Sequence, residues 1–201
     1  MKIIIWIVCA IIVASSSTNC TDRYNHNDVG LDGNSSTGNE DVTNKIKIVK
    51  VKDDYSFELI FKPANLMALQ ELRNKSYSNS EFDSVKAGYE GMNYFTFSIR
   101  PDKSNMDLLN QFSSDKAKMD SMINYFAFYI QDDLNLISSQ QDTLKCKLFH
   151  FERSFGASPF IRFNLAFDKD IELNSSIFNY SDKVLGVGIV DINLKNLASD
   201  I

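Results

Sequence analysis

The sequence predicts a mainly β domain, an antiparallel β-sandwich-like fold with one or two short helices inserted, and leaves α+β as the alternative. Alternating runs of β-branched and aromatic residues recur from residue 45 onwards, and Gly, Pro, Asp and Ser separate them. Helical spacing is confined to the middle of the chain. Residues 45–201 are long enough to form a single β-rich domain with its own core.

The first elements are a β-hairpin and a pair of helices. Residues 45–62 alternate lysine with β-branched residues, break at Asp53-Asp54 and resume as a strand, which is typical of a hairpin. Pro63 suits the first turn of a helix over residues 64–75. A second short helix is expected to be capped by Ser80 and to end at Gly88 or Gly91.

Two segments then repeat one pattern. Met92–Asp102, MNYFTFSIRPD, and Ile123–Asp133, INYFAFYIQDD, are identical at six of eleven positions. Successive strand side chains point to opposite faces, so both segments predict strands with a Phe-x-Phe-x-Ile stripe on one face. The stripes are Asn93, Phe95, Phe97 and Ile99, then Asn124, Phe126, Phe128 and Ile130. Their unlike flanks argue against a repeat architecture.

The remaining strands follow the same rule. Thr143–Arg153 is apolar on both faces over several residues, which predicts one central strand. Residues 160–167, FIRFNLAF, alternate cleanly and predict a strand with one buried face. A turn over 154–159 separates these two, and residues 184–194 predict the closing strand, whose Gly186 and Gly188 allow close backbone approach or a bulge.

Residues 1–19 predict a signal peptide. Lys2 precedes an apolar run from Ile3 to Ala14, and small and hydroxyl residues follow. The run is too short to cross a bilayer core, which needs about 20 apolar residues. We therefore expect the protein to be exported.

Cys20 comes directly after this signal and opens a polar segment. Residues 20–44 contain few apolar side chains and predict a flexible tether. This layout resembles small bacterial envelope lipoproteins. Ser17 and Asn19 depart from the Leu-like residue usual three places before the cysteine and the Gly or Ala usual just before it, so the resemblance is to the looser signals of some Gram-negative groups, Bacteroidetes among them. The resemblance implies that Cys20 is acylated and anchors the chain in a membrane. Cleavage after Ala14-Ser15-Ser16, which leaves Cys20 as a free or disulfide-bonded thiol, is the alternative.

The number of cysteines and the net charge limit which binding partners are expected. After loss of the signal only Cys20 and Cys146 remain, too few for a disulfide framework, so Cys146 is expected to be a small buried strand residue. The net charge of −5 and the lack of a Lys/Arg cluster argue against nucleic acid as a partner. We expect a membrane, reached through the lipid, and a protein or glycan partner of unknown identity. No cofactor or metal is expected.

The segment FHFER carries the candidate site residues. His150 and Glu152 fall on one strand face and Arg153 on the other, and a His beside a carboxylate can serve in acid–base chemistry. A metal site would need more ligands, because His26 lies in the tether. The alternative is a histidine within a sheet beside an Arg–Glu pair at its rim.

These observations predict an anchored envelope lipoprotein whose domain is a non-catalytic binding or interaction module. One alternative is an envelope hydrolase that uses carboxylates from separate loops, such as Asp132, Asp133 and Asp168. Another is a carbohydrate-binding β-sandwich with exposed tyrosines, for which Tyr125 and Tyr129 are the candidates.

Overall fold

The structure, a computed structural model, describes residues 47–153, 157–195 and 197. The predicted signal peptide, the tether with Cys20, and part of the 154–159 turn lie outside the described residues. The described part is mainly β, as predicted, and its nine strands form two antiparallel sheets.

Sheet A has five strands and sheet B has four. Sheet A runs in the order β1 (Lys47–Lys52), β2 (Tyr55–Lys62), β3 (Met92–Pro101), β7 (Ile161–Asp168) and β6 (Leu148–Glu152). Sheet B runs in the order β5 (Thr143–Lys145), β4 (Leu134–Ile137), β8 (Ile177–Ser181) and β9 (Ile189–Asn193).

The predicted hairpin is confirmed as β1 and β2. A two-residue turn, Asp53-Asp54, joins them, and Asp53 has φ 53°. Aspartate is among the few residues other than glycine that adopt this left-handed conformation readily. The turn chemistry visible in the sequence therefore sets the pairing of these strands.

The two predicted helices are also confirmed. Helix α1 (Ala64–Glu71) begins after Pro63, and α2 (Asn79–Tyr89) ends before Gly91. The predicted cap of α2 is wrong by two residues, because it is the Ser78 hydroxyl that accepts a hydrogen bond from the amide of Glu81, at 3.2 Å.

The core lies between the facing surfaces of the two sheets and is rich in aromatic rings. The first Phe-x-Phe-x-Ile stripe is confirmed, since Phe95, Phe97 and Ile99 are at most 1% exposed. The ring of Phe97 on sheet A lies 5.0 Å from Phe178 and 5.6 Å from Tyr180 on sheet B, centroid to centroid. Such contacts between sheets give the domain a sandwich-like arrangement.

The second copy of the pattern, residues 123–133, is not a strand. Helix α3 (Lys116–Asn124) runs into a π-helical turn at Tyr125–Tyr129 and a 3₁₀ turn at Ile130–Asp133. Met122, Phe126 and Ile130 are buried four residues apart, whereas Phe128 is 71% exposed. The apolar residues thus satisfy helical spacing as well as strand spacing, and the helix is what forms.

The predicted central strand at Thr143–Arg153 is also wrong. The chain forms β5 at the edge of sheet B, leaves it after Lys145, and joins the edge of sheet A as β6 from Leu148. Cys146 lies between them, buried as predicted, and its thiol donates to the carbonyl of Leu148 at 2.9 Å. A segment that is apolar on both faces here marks a crossing between sheets.

The closing strand β9 is shorter than predicted and follows β8, which the sequence analysis missed. On the open side of β9, the amines of Lys50 and Lys52 in β1 donate to the carbonyls of Asp191 and Ile189. The first strand of sheet A therefore lies beside the last strand of sheet B. Within the described residues, no helix is both long and apolar enough to cross a membrane.

Candidate functional site

A cleft of about 520 Å³ opens at the end of sheet A where β2 stops and β3 starts. Its size falls in the range of small-molecule sites. Three segments form its walls: the start of α1, the end of α2, and the connection between β7 and β8. The lining side chains on the walls are Ala64, Asn65, Lys86, Tyr89, Glu90, Lys169, Glu172 and Asn174.

The floor of the cleft, as far as the described residues form it, is apolar apart from one amide. Phe61, Ile171 and Leu173 line it, and each is at most 8% exposed. Asn93 lines it too and is only 4% exposed, at the start of the inward-facing stripe of β3. Asn93 belongs to the stripe predicted from the sequence but was not predicted as a site residue, although an amide in a core-facing position was the available signal.

The hydrogen bonding of Asn93 leaves part of the amide unused. Within the described part of the chain, its side chain makes one hydrogen bond, from Nδ2 to the carbonyl of Asp168, and this bond is 3.4 Å long. Buried amides normally satisfy both their donor and their acceptor, because burial without partners costs about 1–3 kcal/mol. The oxygen Oδ1 is thus an acceptor available to a molecule in the cleft.

The rim of the cleft carries charges of both signs. Lys86 and Glu90 form an ion pair at 3.6 Å along α2. Lys169 and Glu172 are exposed and come from the connection between β7 and β8. Exposed pairs of this kind contribute little to stability. Among the described residues, the rim therefore presents two positive and two negative side chains to a ligand.

Tyr89 ties the two helical walls together. Its hydroxyl donates to the carboxylate of Glu71 at the end of α1, at 2.6 Å. Its ring meets Tyr94 edge-on, with centroids 5.4 Å apart. The hydrogen bond to Glu71 raises the pKa of Tyr89 to about 12, so the tyrosine remains a neutral donor at physiological pH.

The predicted residues His150, Glu152 and Arg153 do not line this cleft. His150 and Glu152 are exposed on the outer face of the edge strand β6, and Arg153 follows the strand. Glu152 forms an ion pair with Arg162 of β7 at 3.3 Å, and His150 lies opposite Asn164. This arrangement resembles the alternative of a histidine within a sheet beside an Arg–Glu pair at its rim, with Arg162 as the arginine that pairs with Glu152. A chemical role for the three residues stays a prediction.

Two of the three carboxylates considered for a hydrolase, Asp133 and Asp168, have separate partners, whereas at Asp132 it is the backbone carbonyl that accepts from Lys145, at 3.2 Å. Asp133 is buried, accepts from the hydroxyl of Tyr125 at 2.9 Å and pairs with Lys183 at 2.6 Å. Asp168 pairs with Lys147 at 3.2 Å. The described residues contain no group of three or more His, Cys, Asp or Glu side chains that could hold a metal ion.

The tyrosines considered for sugar binding do not form an exposed pair. Tyr125 is 8% exposed, so its prediction as a surface residue is wrong, whereas Tyr129 is 56% exposed. The error follows from the helical turn, which directs these neighbouring rings differently from a strand. Burial, followed by the bond to Asp133, raises the pKa of Tyr125 well above its usual value.

Asp182 organises a second polar cluster before β9. Its carboxylate accepts the hydroxyl of Tyr180 at 2.8 Å and the backbone amides of Val184, Leu185 and Val187 at 3.0–3.1 Å. In the same loop Gly186 has φ 81°, and nothing lies within 4 Å of the position of a Cβ there. The predicted close backbone approach is therefore wrong, the predicted bulge stays a prediction, and the positive φ is what favours glycine here.

Comparisons with known proteins add little. No protein-family model matches the chain, and no curated protein matches it. One solved structure is similar, a novel protein of unknown function from Burkholderia pseudomallei K96243, with 10% identity and a TM-score of 0.39. The match covers 78% of this chain and 82% of the other chain.

Proposed function

We propose that the protein is an envelope lipoprotein, anchored through an acylated Cys20, whose domain binds a small polar ligand in the cleft without transforming it. The observation that carries the binding role is Asn93. Its amide occupies a core-facing position, is almost fully buried, and has one long hydrogen bond in the described part of the chain. Because Asn93 lines the cleft, a ligand there can form the hydrogen bonds that this amide does not make within the described residues.

The geometry of β1 supports the link between anchor and cleft. Lys47, the first residue of β1, lies opposite Ile60 near the end of β2, beside Phe61 on the cleft floor. The predicted tether would therefore enter the domain at the end of sheet A that bears the cleft.

The anchor is tested with two cysteine variants of the full chain. Cys20→Ala should move the protein from the membrane to the soluble fraction, because the acylated thiol is the proposed attachment. The matched control Cys146→Ala should stay in the membrane fraction, since Cys146 is a buried core residue. A Cys20→Ala variant that still sediments with membranes, or an unmodified Cys20 by mass spectrometry, would refute the anchor.

The cleft is tested by nuclear magnetic resonance on the mature chain. The probes are glycyl-leucine and a disaccharide of N-acetylglucosamine. Binding of either should shift the side-chain amide signals of Asn93, and Asn93→Leu should abolish binding. Asn135→Leu is the control, because it removes another buried amide, from β4 in sheet B, which is not part of the cleft. The absence of any shift with both probes would contradict the binding role.

A further inference from the structure

The geometry points to a ligand class for the cleft: a short zwitterionic peptide that carries an apolar side chain. This inference rests on the proposed binding function and names the ligand that the function would require. Three features of the cleft carry it: the apolar floor, the single buried amide of Asn93, and the mixed charges at the rim.

The floor selects for an apolar group. Phe61, Ile171 and Leu173 have little other solvent contact, so a ligand that reaches them must lose its own water there. An aliphatic or aromatic side chain gains free energy from that transfer. A sugar hydroxyl would lose hydrogen bonds to water, and among the described residues Asn93 is the one polar side chain on the floor. The floor therefore favours a peptide side chain over a sugar ring.

Asn93 matches a peptide group. An asparagine side chain presents a carbonyl acceptor and an amino donor next to each other, which complements the N–H and C=O of one residue in an extended peptide, because these two groups lie on the same side of the chain. Oδ1 can accept the ligand N–H. Nδ2, whose bond to the carbonyl of Asp168 is 3.4 Å long, can donate to the ligand carbonyl. One buried side chain would thus bind one residue of the ligand, which in glycyl-leucine is the leucine with its amide N–H and its carboxylate.

The rim matches the two ends of such a ligand. Lys86 and Lys169 offer cations for a carboxylate, and Glu90 and Glu172 offer anions for an ammonium group. A ligand with one sign of charge would face like charges on the same rim. A zwitterion faces partners for both ends, and its net charge of zero suits a cleft whose four rim charges cancel.

The test compares three probes on the mature chain by isothermal titration calorimetry. They are glycyl-leucine, the same dipeptide acetylated and amidated at its ends, and the disaccharide of N-acetylglucosamine. Glycyl-leucine should bind at least about tenfold more tightly than either other probe, because it alone supplies both charged ends. Lys169→Gln and Glu172→Gln should each weaken it several-fold, and Asn93→Leu by at least about tenfold.

The outcomes separate this inference from the proposed function. Tighter binding of the disaccharide, or equal binding of the capped dipeptide, would overturn the zwitterionic peptide and leave a binding cleft. If Asn93→Leu binds the dipeptide as tightly as the parent protein does, Asn93 does not contact the ligand and the inference of a peptide ligand in this cleft is wrong. No binding of any probe would overturn the proposed function as well. Asn135→Leu should bind like the parent, and circular dichroism should show that every variant is folded.

Discussion

The two copies of the Phe-x-Phe pattern make a direct test of the fold. Phe97 and Phe128 occupy the same place in the two segments, yet Phe97 is fully buried and Phe128 is 71% exposed. We expect Phe97→Ala to lower the free energy of unfolding by about 4 kcal/mol, the middle of the usual range for a buried phenylalanine. We expect Phe128→Ala to change it by no more than about 0.5 kcal/mol.

The large effect at Phe97 follows from its neighbours. Its ring lies within 6.3 Å of Phe57, Phe163, Phe178 and Tyr180, centroid to centroid, so truncation removes contacts in both sheets. Aromatic pairs contribute about 0.5–1.5 kcal/mol each beyond the area they bury. The resulting cavity would lie at the centre of the core, where neighbouring strands can relax little.

Urea unfolding followed by circular dichroism measures both variants in the mature chain. With about 2–4 °C of melting temperature per kcal/mol in a domain of this size, Phe97→Ala should also melt about 8–16 °C lower. The urea dependence of the unfolding free energy should stay the same in both variants. A loss above about 2 kcal/mol in Phe128→Ala would refute the helical structure assigned to residues 125–129.

Three further predictions concern buried or half-buried polar groups. Asp182→Ala should lower the free energy of unfolding by about 3 kcal/mol, because it leaves the amides of its loop without their acceptor; urea unfolding measures this, and the exposed Asp170→Ala should change little. Burial raises the pKa of Cys146 to about 11, so at pH 8 its thiol should react with a disulfide reagent only when the chain is unfolded, and rapid reaction of the folded protein would contradict its burial. Tyr125 has a pKa above that of an unfolded tyrosine, so its contribution to stability is full below about pH 10 and declines at higher pH, where the unfolded state ionises first. In Tyr125→Phe, the free energy of unfolding measured with urea should fall less steeply between about pH 9 and 11 than in the parent protein. An unchanged slope would contradict the assignment of this pH dependence to Tyr125.

The sequence predicted correctly those parts of the fold that depend on residues close together in the chain. The Asp53-Asp54 turn and the alternation of β2 and β3 each lie within a short stretch of chain, and the hairpin and the first stripe were predicted correctly. Residues 123–133 were not, because apolar side chains two, three and four residues apart fit a strand and a helix alike. Only packing against the core decides between them.

Long-range contacts explain the other errors. The segment around Cys146 contacts both sheets, and two short edge strands have the same apolar pattern as one buried strand. The cleft is assembled from Asn65, Lys86, Asn93 and Glu172, which are far apart in sequence. Of these four residues, only Asn93 could have been recognised from its local sequence, because it is an amide in a position predicted to face the core. No spacing rule could have predicted its neighbours.

The lysines of β1 that reach across to β9 bear on how the protein behaves when many copies share a surface. An open strand border is a template for a neighbouring chain, and molecules confined to a membrane meet each other far more often than molecules in bulk solution. Lys50 and Lys52 already occupy two of the carbonyls that such a neighbour would need. If the proposed anchor confines the protein to a membrane, we expect these two contacts to hinder strand pairing between molecules at this edge, so that crowding would bring clefts together without joining the sheets that carry them.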